Sequence, residues 1–406
     1  MHEMGRIARE NIDGVVRLER ICFPEDPWSR STLRGILVRR ADTLCIGAFF
    51  EGELVGYAAA AVEDCRETHL LSIAVCPEHR HRGVGARLIS ALAHWGSARG
   101  SERVYLEVRS GGAAAGLYRR MGFDELGPAA FRYKDGAGAM IMARSIYPRP
   151  EVARTATALH GLLGGRIPRV GVILGSGAGW LAEGSEAGVS IRFDRIPGME
   201  GGTVAGHAGT LVCSGDTVYL MGRRHHYQGY NGDQISLLPS ALASLGTDSW
   251  LLTTSVGAVD PGLRTGDAVV FKDHVNMSGC VPSPPLAPMG SMVYSTDLRR
   301  RALRIGEAFG APVREGTFCC VSGPAYESAS EVRYLMESGV SVVSMSTVQE
   351  ALELVSQGCR VLGVGLVTNE VGEGDSVHHT EVLEAHKKVM ARQGAFLPEL
   401  VRELGK

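Results

Sequence analysis

Apolar residues recur along this chain in two rhythms. Ile12, Val15, Val16 and Leu18 fall on one face at helical spacing, which predicts a helix over residues 6–21. Leu44–Phe50 and Leu54–Val62 are short apolar runs with Glu51-Gly52 between them, the pattern of two strands joined by a tight turn. Leu70–Val75 predicts a further strand, followed by a glycine loop and a helix through Leu88, Ile89, Leu92 and Trp95. Arg103–Val108 predicts another strand and Leu117-Tyr118 a short helix, while Phe131–Tyr133 and Ala139–Met142 close the unit. The expected order is mixed α/β with a largely antiparallel sheet.

Tyr147-Pro148-Arg149-Pro150 breaks this pattern, because two prolines interrupt a strand ladder. The expected organisation is a first domain over 1–147, a linker with a leading helix over 148–168, and a second domain over 169–406. Beyond the break, Val170–Leu174, Ser249–Thr254, Ala268–Phe271, Val340–Met345 and Val361–Val367 read as buried strands. The last has almost no polar interruption, as a central sheet strand requires. Glu381–Met390 begins a terminal helix, and the proline- and glycine-rich stretch 276–290 reads as a surface loop. No internal repeat equates the two halves.

A length of 406 residues favours two or three domains, and 45% hydrophobic content supplies cores for them. The formal charge of -2 argues against a dominant nucleic-acid surface. No apolar run reaches membrane-spanning length, so no membrane partner is expected. The nine cysteines lack metal-ligand spacing, no metal is expected, and Cys319-Cys320 reads as buried strand. An odd cysteine count without a secretory segment points to reduced thiols and a cytoplasmic location.

Two glycine loops change the picture. Arg80-His81-Arg82-Gly83-Val84-Gly85, followed by Ala86, and Gly175-Ser176-Gly177-Ala178-Gly179 each succeed an apolar strand. Each offers backbone N–H groups to an anion, and neither has the Gly-Lys-Ser/Thr ending of a P-loop.

The first loop lies among Cys22-Phe23-Pro24, Trp28, Leu71-Ser72-Ile73-Ala74-Val75, Leu106-Glu107-Val108-Arg109, Leu117-Tyr118 and Gly122-Phe123. Over about residues 5–146 this set resembles the GNAT acetyltransferases, more narrowly the ribosomal-protein N-terminal alanine acetyltransferases. The resemblance implies a GNAT fold with a mixed sheet. It implies acetyl-coenzyme A as cosubstrate, held by Ile73, Val75, Arg80, Arg82, Gly83, Val84, Gly85 and Ala86. It also implies Glu107 as general base, Tyr118 as proton donor to the leaving thiolate, and an amine or protein N-terminus as acceptor. Ser110-Gly111 replaces the family's Ser-Asn, Arg132-Tyr133 its paired tyrosines, and Gly136-Ala137-Gly138 its acidic pair. These departures bear on which amine is used.

The second loop begins a longer series. Gly206-His207-Ala208-Gly209, Gly222–Tyr230, Ser322-Gly323-Pro324-Ala325-Tyr326-Glu327, Met345-Ser346-Thr347-Val348 and Leu366-Val367-Thr368-Asn369 follow, with His379 before Glu381-Val382-Leu383. From about 169 to 395 the chain resembles the trimeric purine nucleoside phosphorylases and their methylthioadenosine-cleaving relatives. The resemblance implies a mixed central sheet flanked by helices, a homotrimer, and inorganic phosphate and purine nucleosides as substrates. It places Ser176, Arg223, His225, Ser255 and Ser346 around phosphate, with His225 also catalytic. Tyr227, Tyr326, Glu327, Met345, Asn369 and His379 surround purine and ribose, with Asn369 catalytic through the leaving base.

An amide at Asn369 favours 6-oxopurines such as those of inosine and guanosine, because it donates to N7 and a 6-oxo group. Thr253–Ala258, Gln349 and Glu370 stand where the family has an amide- and glycine-rich segment, proline and lysine. Two further readings stay open here. In one, acetyl transfer is the principal activity and the second domain binds nucleosides or assembles the protein. In the other, the nucleoside is methylthioadenosine or another 5′-modified species.

Overall fold

The computed structural model describes residues 2–7, 11–37, 42–63, 66–146, 149–182, 188–200, 209–282, 293–370 and 379–405. The chain divides into two compact units, the first running to Arg154 and the second taking up at Thr155.

The first unit contains β1 (Glu3–Arg6), α1 (Ile12–Cys22), α2 (Arg30–Leu37), β2 (Thr43–Phe50), β3 (Glu53–Glu63), β4 (Glu67–Val75), α3 (Val84–Ala98), β5 (Arg103–Arg109), α4 (Ala113–Arg120), β6 (Asp124–Arg132) and β7 (Gly138–Ser145). Among the described residues, its strands form one seven-stranded sheet in the order β1-β2-β3-β4-β5-β7-β6. Glu51 and Gly52 both have positive φ, as a tight hairpin turn between β2 and β3 demands. The core is built where the apolar face of α3, including Leu88, Leu92 and Trp95, meets inward strand residues such as Ile46 and Leu106.

One pairing in this sheet is parallel. It joins β4 to β5 through Glu67, Thr68 and His69 opposite Arg103, Val104 and Tyr105. Beyond His69 the pairing ends, while β4 runs on to Val75 and β5 to Arg109. The two strands thus part toward their C-terminal ends, on the side where the Arg80–Ala86 loop follows β4. The helix expected over 6–21 begins instead at Ile12. Glu3–Arg6 takes ladder hydrogen bonds from Ile46–Phe49 of β2, and Gly5 is a poor helix former.

The chain continues through α5 (Pro150–Leu162), β8 (Val170–Ile173), β9 (Val189–Arg192), β10 (Thr210–Ser214), β11 (Thr217–Met221), α6 (Gly232–Leu245), β12 (Ser249–Ala258), β13 (Ala268–Met277), α7 (Thr296–Ala308), β14 (Val313–Val321), α8 (Ala329–Glu337), β15 (Val342–Ser344), α9 (Val348–Ser356), β16 (Arg360–Glu370), α10 (His379–Gln393) and α11 (Phe396–Leu404). Among the described residues, the second unit's sheet has nine strands in the order β15-β14-β13-β16-β12-β8-β11-β10-β9. β12 is parallel to both β8 and β16. An added pairing of β15 with β12 closes five of these strands on themselves.

The pairing fixes where loops emerge. β12 is buried along nearly its whole length, so its ends deliver side chains to one place rather than to solvent. Cys319 and Cys320 lie fully buried in β14, as their apolar setting predicts. Two expectations need correction. The strand expected over 340–345 is confined to Val342–Ser344, because Gly339 has positive φ and Val340 closes the turn after α8. The stretch expected as surface loop from residue 276 starts inside β13, and Ser278 and Cys280 are buried beneath the Gln349 amide, which donates to Ser278 Oγ at 3.0 Å and Cys280 O at 3.3 Å. Residues 283–290 of that stretch lie outside the described residues.

Candidate functional site

In the second unit, β12 and the segments leaving β8, β11 and β15 meet around Arg223. Its side chain is 4% exposed. Nη1 donates to Ser346 Oγ at 3.0 Å and Thr347 Oγ1 at 2.7 Å, and Nη2 donates to Thr253 O at 2.7 Å. Nε stands 3.7 Å from Glu350 Oε1 at the start of α9. Burial lowers the Arg223 pKa while Glu350 opposes that shift; burial likewise raises the Glu350 carboxyl against the pull of Arg223. The pair keeps a cation fixed where an isolated charge would be costly.

Hydroxyl groups extend the cluster. Thr254 Oγ1 lies 3.1 Å from Ser346 Oγ and 3.2 Å from Ser344 Oγ. The glycine loop packs directly on β12: Gly175 N donates to Thr253 Oγ1 at 3.0 Å, and Ser255 Oγ donates to Ser176 O at 3.1 Å. A Cβ at Gly175 would lie 2.8 Å from Thr254 Cα and 2.9 Å from Thr253 O, so only glycine permits this approach. Ser176 is exposed at the lip of the cluster. Arg223, Ser346, Ser255 and Ser176 are therefore linked through one short stretch of β12.

His225 lies two residues beyond Arg223, and its ring stacks on Tyr227 at 4.9 Å and 26°. A Cβ at Gly323 would come within 2.4 Å of Met345 Sδ and 3.1 Å of Tyr227 Cδ1, so Tyr227, Met345 and the Gly323-Pro324 turn form a common wall. Past that turn Tyr326 is 58% exposed, while burial raises the pKa of the neighbouring Glu327 carboxyl. Burial also raises the Tyr227 phenol, with Tyr326 adding to the shift and Arg223 opposing it.

Asn369 reaches the same end of the sheet from β16, opposite Gly257 of β12, where the register shifts after Val256. Gly257 is three residues beyond Thr254, or about 10 Å along a strand. Thr368 Oγ1 lies 3.3 Å from Asn369 Oδ1 and 3.4 Å from Val256 O and has one proton to give to either, while Nδ2 is the donor end of the Asn369 amide. His379 opens α10, and its side chain lies outside the described residues, as does His207.

In the first unit, Gly83 has φ 77° and caps α3 in the left-handed conformation, and His81 also has positive φ. The turn leaves the first N–H groups of α3 without partners inside the helix. Arg80 Nε donates to Val75 O at 2.9 Å, whereas Arg82 is exposed. Val84 is buried, and Ile73 and Val75 are half-buried on β4. A Cβ on Gly85 would stand 3.2 Å from Leu117 Cδ2, so the loop, α3 and α4 pack closely; Ala86 follows within α3.

Tyr118 on α4 is buried against Phe123, with ring centroids 5.7 Å apart, and burial holds its phenol well above the usual range. Glu107 on β5 sits 2.8 Å from His69 Nε2. Sequence reasoning missed His69, which carries no motif and is revealed by its register opposite Tyr105. It also missed the role of Thr347, a β-branched residue at φ 82°, a conformation that sequence does not announce.

Among the described residues, no group of three or more His, Cys, Asp or Glu side chains is arranged to hold a metal ion. Among those residues, no helix is long and apolar enough to cross a membrane.

The family profile described as phosphorylase superfamily matches residues 169–402, and that described as acetyltransferase (GNAT) family matches residues 12–123. The chain is similar to purine nucleoside phosphorylase 1 of Bacillus subtilis, with 34% identity over 238 residues, covering 55% of this chain and 88% of that relative. It is 35% identical over 253 residues to purine nucleoside phosphorylase 1 of Geobacillus stearothermophilus, covering 59% of this chain and 92% of that relative. Among solved structures, Schistosoma mansoni purine nucleoside phosphorylase in complex with inosine matches with a TM-score of 0.57 and 28% identity, covering 63% of this chain and 96% of that one.

Proposed function

Because the chain belongs to the phosphorylase superfamily and carries a GNAT-family acetyltransferase domain ahead of it, we propose that it cleaves 6-oxopurine nucleosides with phosphate and separately transfers acetyl groups to an amine. The two domains in this proposal are 1–147 and 169–406, joined through 148–168. The buried Arg223–Ser346–Thr347 cluster, linked through β12 to the Gly175 loop, carries the phosphorolysis reading.

Phosphate is a tetrahedral anion with several acceptor oxygens. Arg223, Ser346, Ser176 and His225 supply a guanidinium, two hydroxyls and an imidazole for it, and the backbone near Ser255 adds to them. In phosphorolysis a phosphate oxygen forms the new bond to the anomeric carbon as the C–N bond breaks, and the base leaves with the electron pair. Positive charge develops on the ribose next to the bound anion. Negative charge develops on the purine, where the Nδ2 donor of Asn369 and the carboxylate of Glu327 hold opposite edges. These contacts assist catalysis to the extent that they strengthen as charge develops. Tyr227, Met345 and His379 are assigned to the ribose, and Tyr326 to the base.

Purified protein supplied with inosine and phosphate should release hypoxanthine and ribose 1-phosphate. Absence of ribose 1-phosphate across inosine, guanosine, adenosine and methylthioadenosine would sink the reading. A homotrimer is part of the proposal. It is supported by exposed Val275 and Met277 on β13, together with Val281 and Tyr326 in the segments after β13 and β14. Light scattering that returned a monomer would remove it.

For acetyl transfer, the divergence of β4 and β5 supports the cosubstrate assignment. Two strand edges without mutual pairing can receive the amides of an extended thioester, while the Arg80–Ala86 loop takes its pyrophosphate. The acceptor nitrogen bonds to the acetyl carbon, the C–S bond breaks, and the amine proton passes to Glu107. Tyr118, kept as a phenol by burial, donates to the departing sulfur. Calorimetry with acetyl-coenzyme A tests binding directly, and no heat of binding would remove this half of the function.

A further inference from the structure

Glu107 has a partner that its own motif does not announce. Its Oε2 lies 2.8 Å from His69 Nε2, and the two side chains are 25% and 19% exposed. His69 is the last residue of β4 paired with β5, opposite Tyr105. Its ring lies flat on that tyrosine, with centroids 4.3 Å apart and planes 16° from parallel. The strands part immediately beyond this point, so His69 stands at the apex of the opening. Glu107, two residues past Tyr105 on the same face of β5, stands on its wall.

The stack and the carboxylate contact fix the imidazole from two directions. A carboxylate held at one oxygen loses much of its rotational freedom. That matters for a base that must meet an amine proton within hydrogen-bond reach, directly or through one water. We propose that His69 is a positioning residue for acetyl transfer, holding Oε2 of Glu107 so that Oε1 serves the acceptor amine. The inference rests on the acetyl-transfer reading and adds to it a residue outside the glycine-loop and Glu107–Tyr118 motifs.

The test uses the full chain with acetyl-coenzyme A and an amine panel of peptides covering each N-terminal residue plus small polyamines. Four variants are compared with the parent: His69→Phe, which keeps the ring on Tyr105 but loses the hydrogen bond; His69→Gln, which restores a donor; Glu107→Gln; and the double variant His69→Phe/Glu107→Gln. The expected result is a roughly tenfold loss of kcat in His69→Phe, with KM for acetyl-coenzyme A within about twofold and His69→Gln within about threefold of the parent. In the Glu107→Gln background, His69→Phe should cost nothing further beyond about twofold, because a residue acting through another is silent once that other is gone.

Equal losses in both backgrounds would make His69 a packing residue and overturn the inference while leaving acetyl transfer standing. A parent that acetylates nothing in the panel would overturn the inference together with the acetyl-transfer reading. If His69→Phe does not fold, His69→Asn, too short to reach Glu107, takes its place in the cycle.

Discussion

Arg223 Nη1 lies 3.0 Å from Ser346 Oγ across 123 residues of sequence, joining the segment after β11 to the segment between β15 and α9. The two residues have different relations to the fold. Arg223 is buried beside Glu350, whereas Ser346 gives one hydroxyl to a cluster that also holds Thr254 and Thr347. Ser346→Ala should therefore raise the KM for phosphate by about tenfold, the equivalent of about 1.4 kcal/mol, with a small change in melting temperature. Arg223→Ala should abolish phosphate use and also destabilise the domain by about 3–5 kcal/mol, because it leaves Glu350 buried without its cation. Phosphate-dependent kinetics and denaturant unfolding of both variants separate the two effects. Equal destabilisation by both would contradict this division.

In the proposed reaction, Asn369 is the residue assigned to choosing among purines. The amide offers its Nδ2 donor to N7 and a 6-oxo group. Asn369→Asp replaces that donor with an acceptor suited to a 6-amino group. The ratio of kcat/KM for inosine over adenosine should fall by about 100-fold, or about 2.7 kcal/mol, the scale of leaving a buried polar group without its partner. An unchanged ratio would place the base contact elsewhere.

Gly175 is required for steric reasons. A methyl group there would meet Thr254 Cα at 2.8 Å and Thr253 O at 2.9 Å, both backbone atoms that cannot rotate away. Gly175→Ala should cost about 1–3 kcal/mol by forcing the loop from β12. It should also weaken phosphate binding, since Ser176 and Ser255 are joined across that contact. Gly215→Ala, at a turn with no atoms near the added Cβ, controls for chain stiffness, although its positive φ adds local strain. A Gly175→Ala variant as stable as its parent would refute the close approach.

Much of this was legible in the sequence because the relevant signals are local. The apolar runs gave β2, β3, β12 and β16, and Glu51-Gly52 gave the turn between β2 and β3. The glycine loops could be read because close backbone approach leaves few residue choices. What stayed hidden depends on partners distant in sequence. β1 forms as a strand because β2 offers it a ladder, not because residues 3–6 have strong strand character. His69 is an ordinary strand residue until the register places it beside Tyr105 and Glu107. Thr347 reads as a poor candidate for positive φ, and only the contact from Arg223 to its hydroxyl explains its place in the cluster. The stretch from residue 276 reads as exposed from its glycine and prolines, but the Gln349 amide draws Ser278 and Cys280 inward.

The role assigned to Glu327 would give the proposed phosphorolysis a pH signature. Burial raises its carboxyl above the ordinary range near 4.3, while its own backbone N–H opposes the shift. The assigned role, accepting from N1–H of a 6-oxopurine, requires the ionised form. As pH falls through the raised pKa the carboxylate takes up a proton and the contact is lost, so kcat/KM for inosine should decline on an acid limb above the usual carboxylate range. Glu327→Gln should lower kcat/KM by about 100-fold and abolish that limb. Stability should respond in the opposite sense. A folded-state pKa raised by burial means that the folded protein favours the protonated form, so its stabilising contribution is present at low pH and lost as pH rises through that value. Glu327→Gln removes the penalty for ionising in a buried setting, and its melting temperature at neutral pH should equal or exceed the parent's. An acid limb that persists in Glu327→Gln would assign the titration to another group.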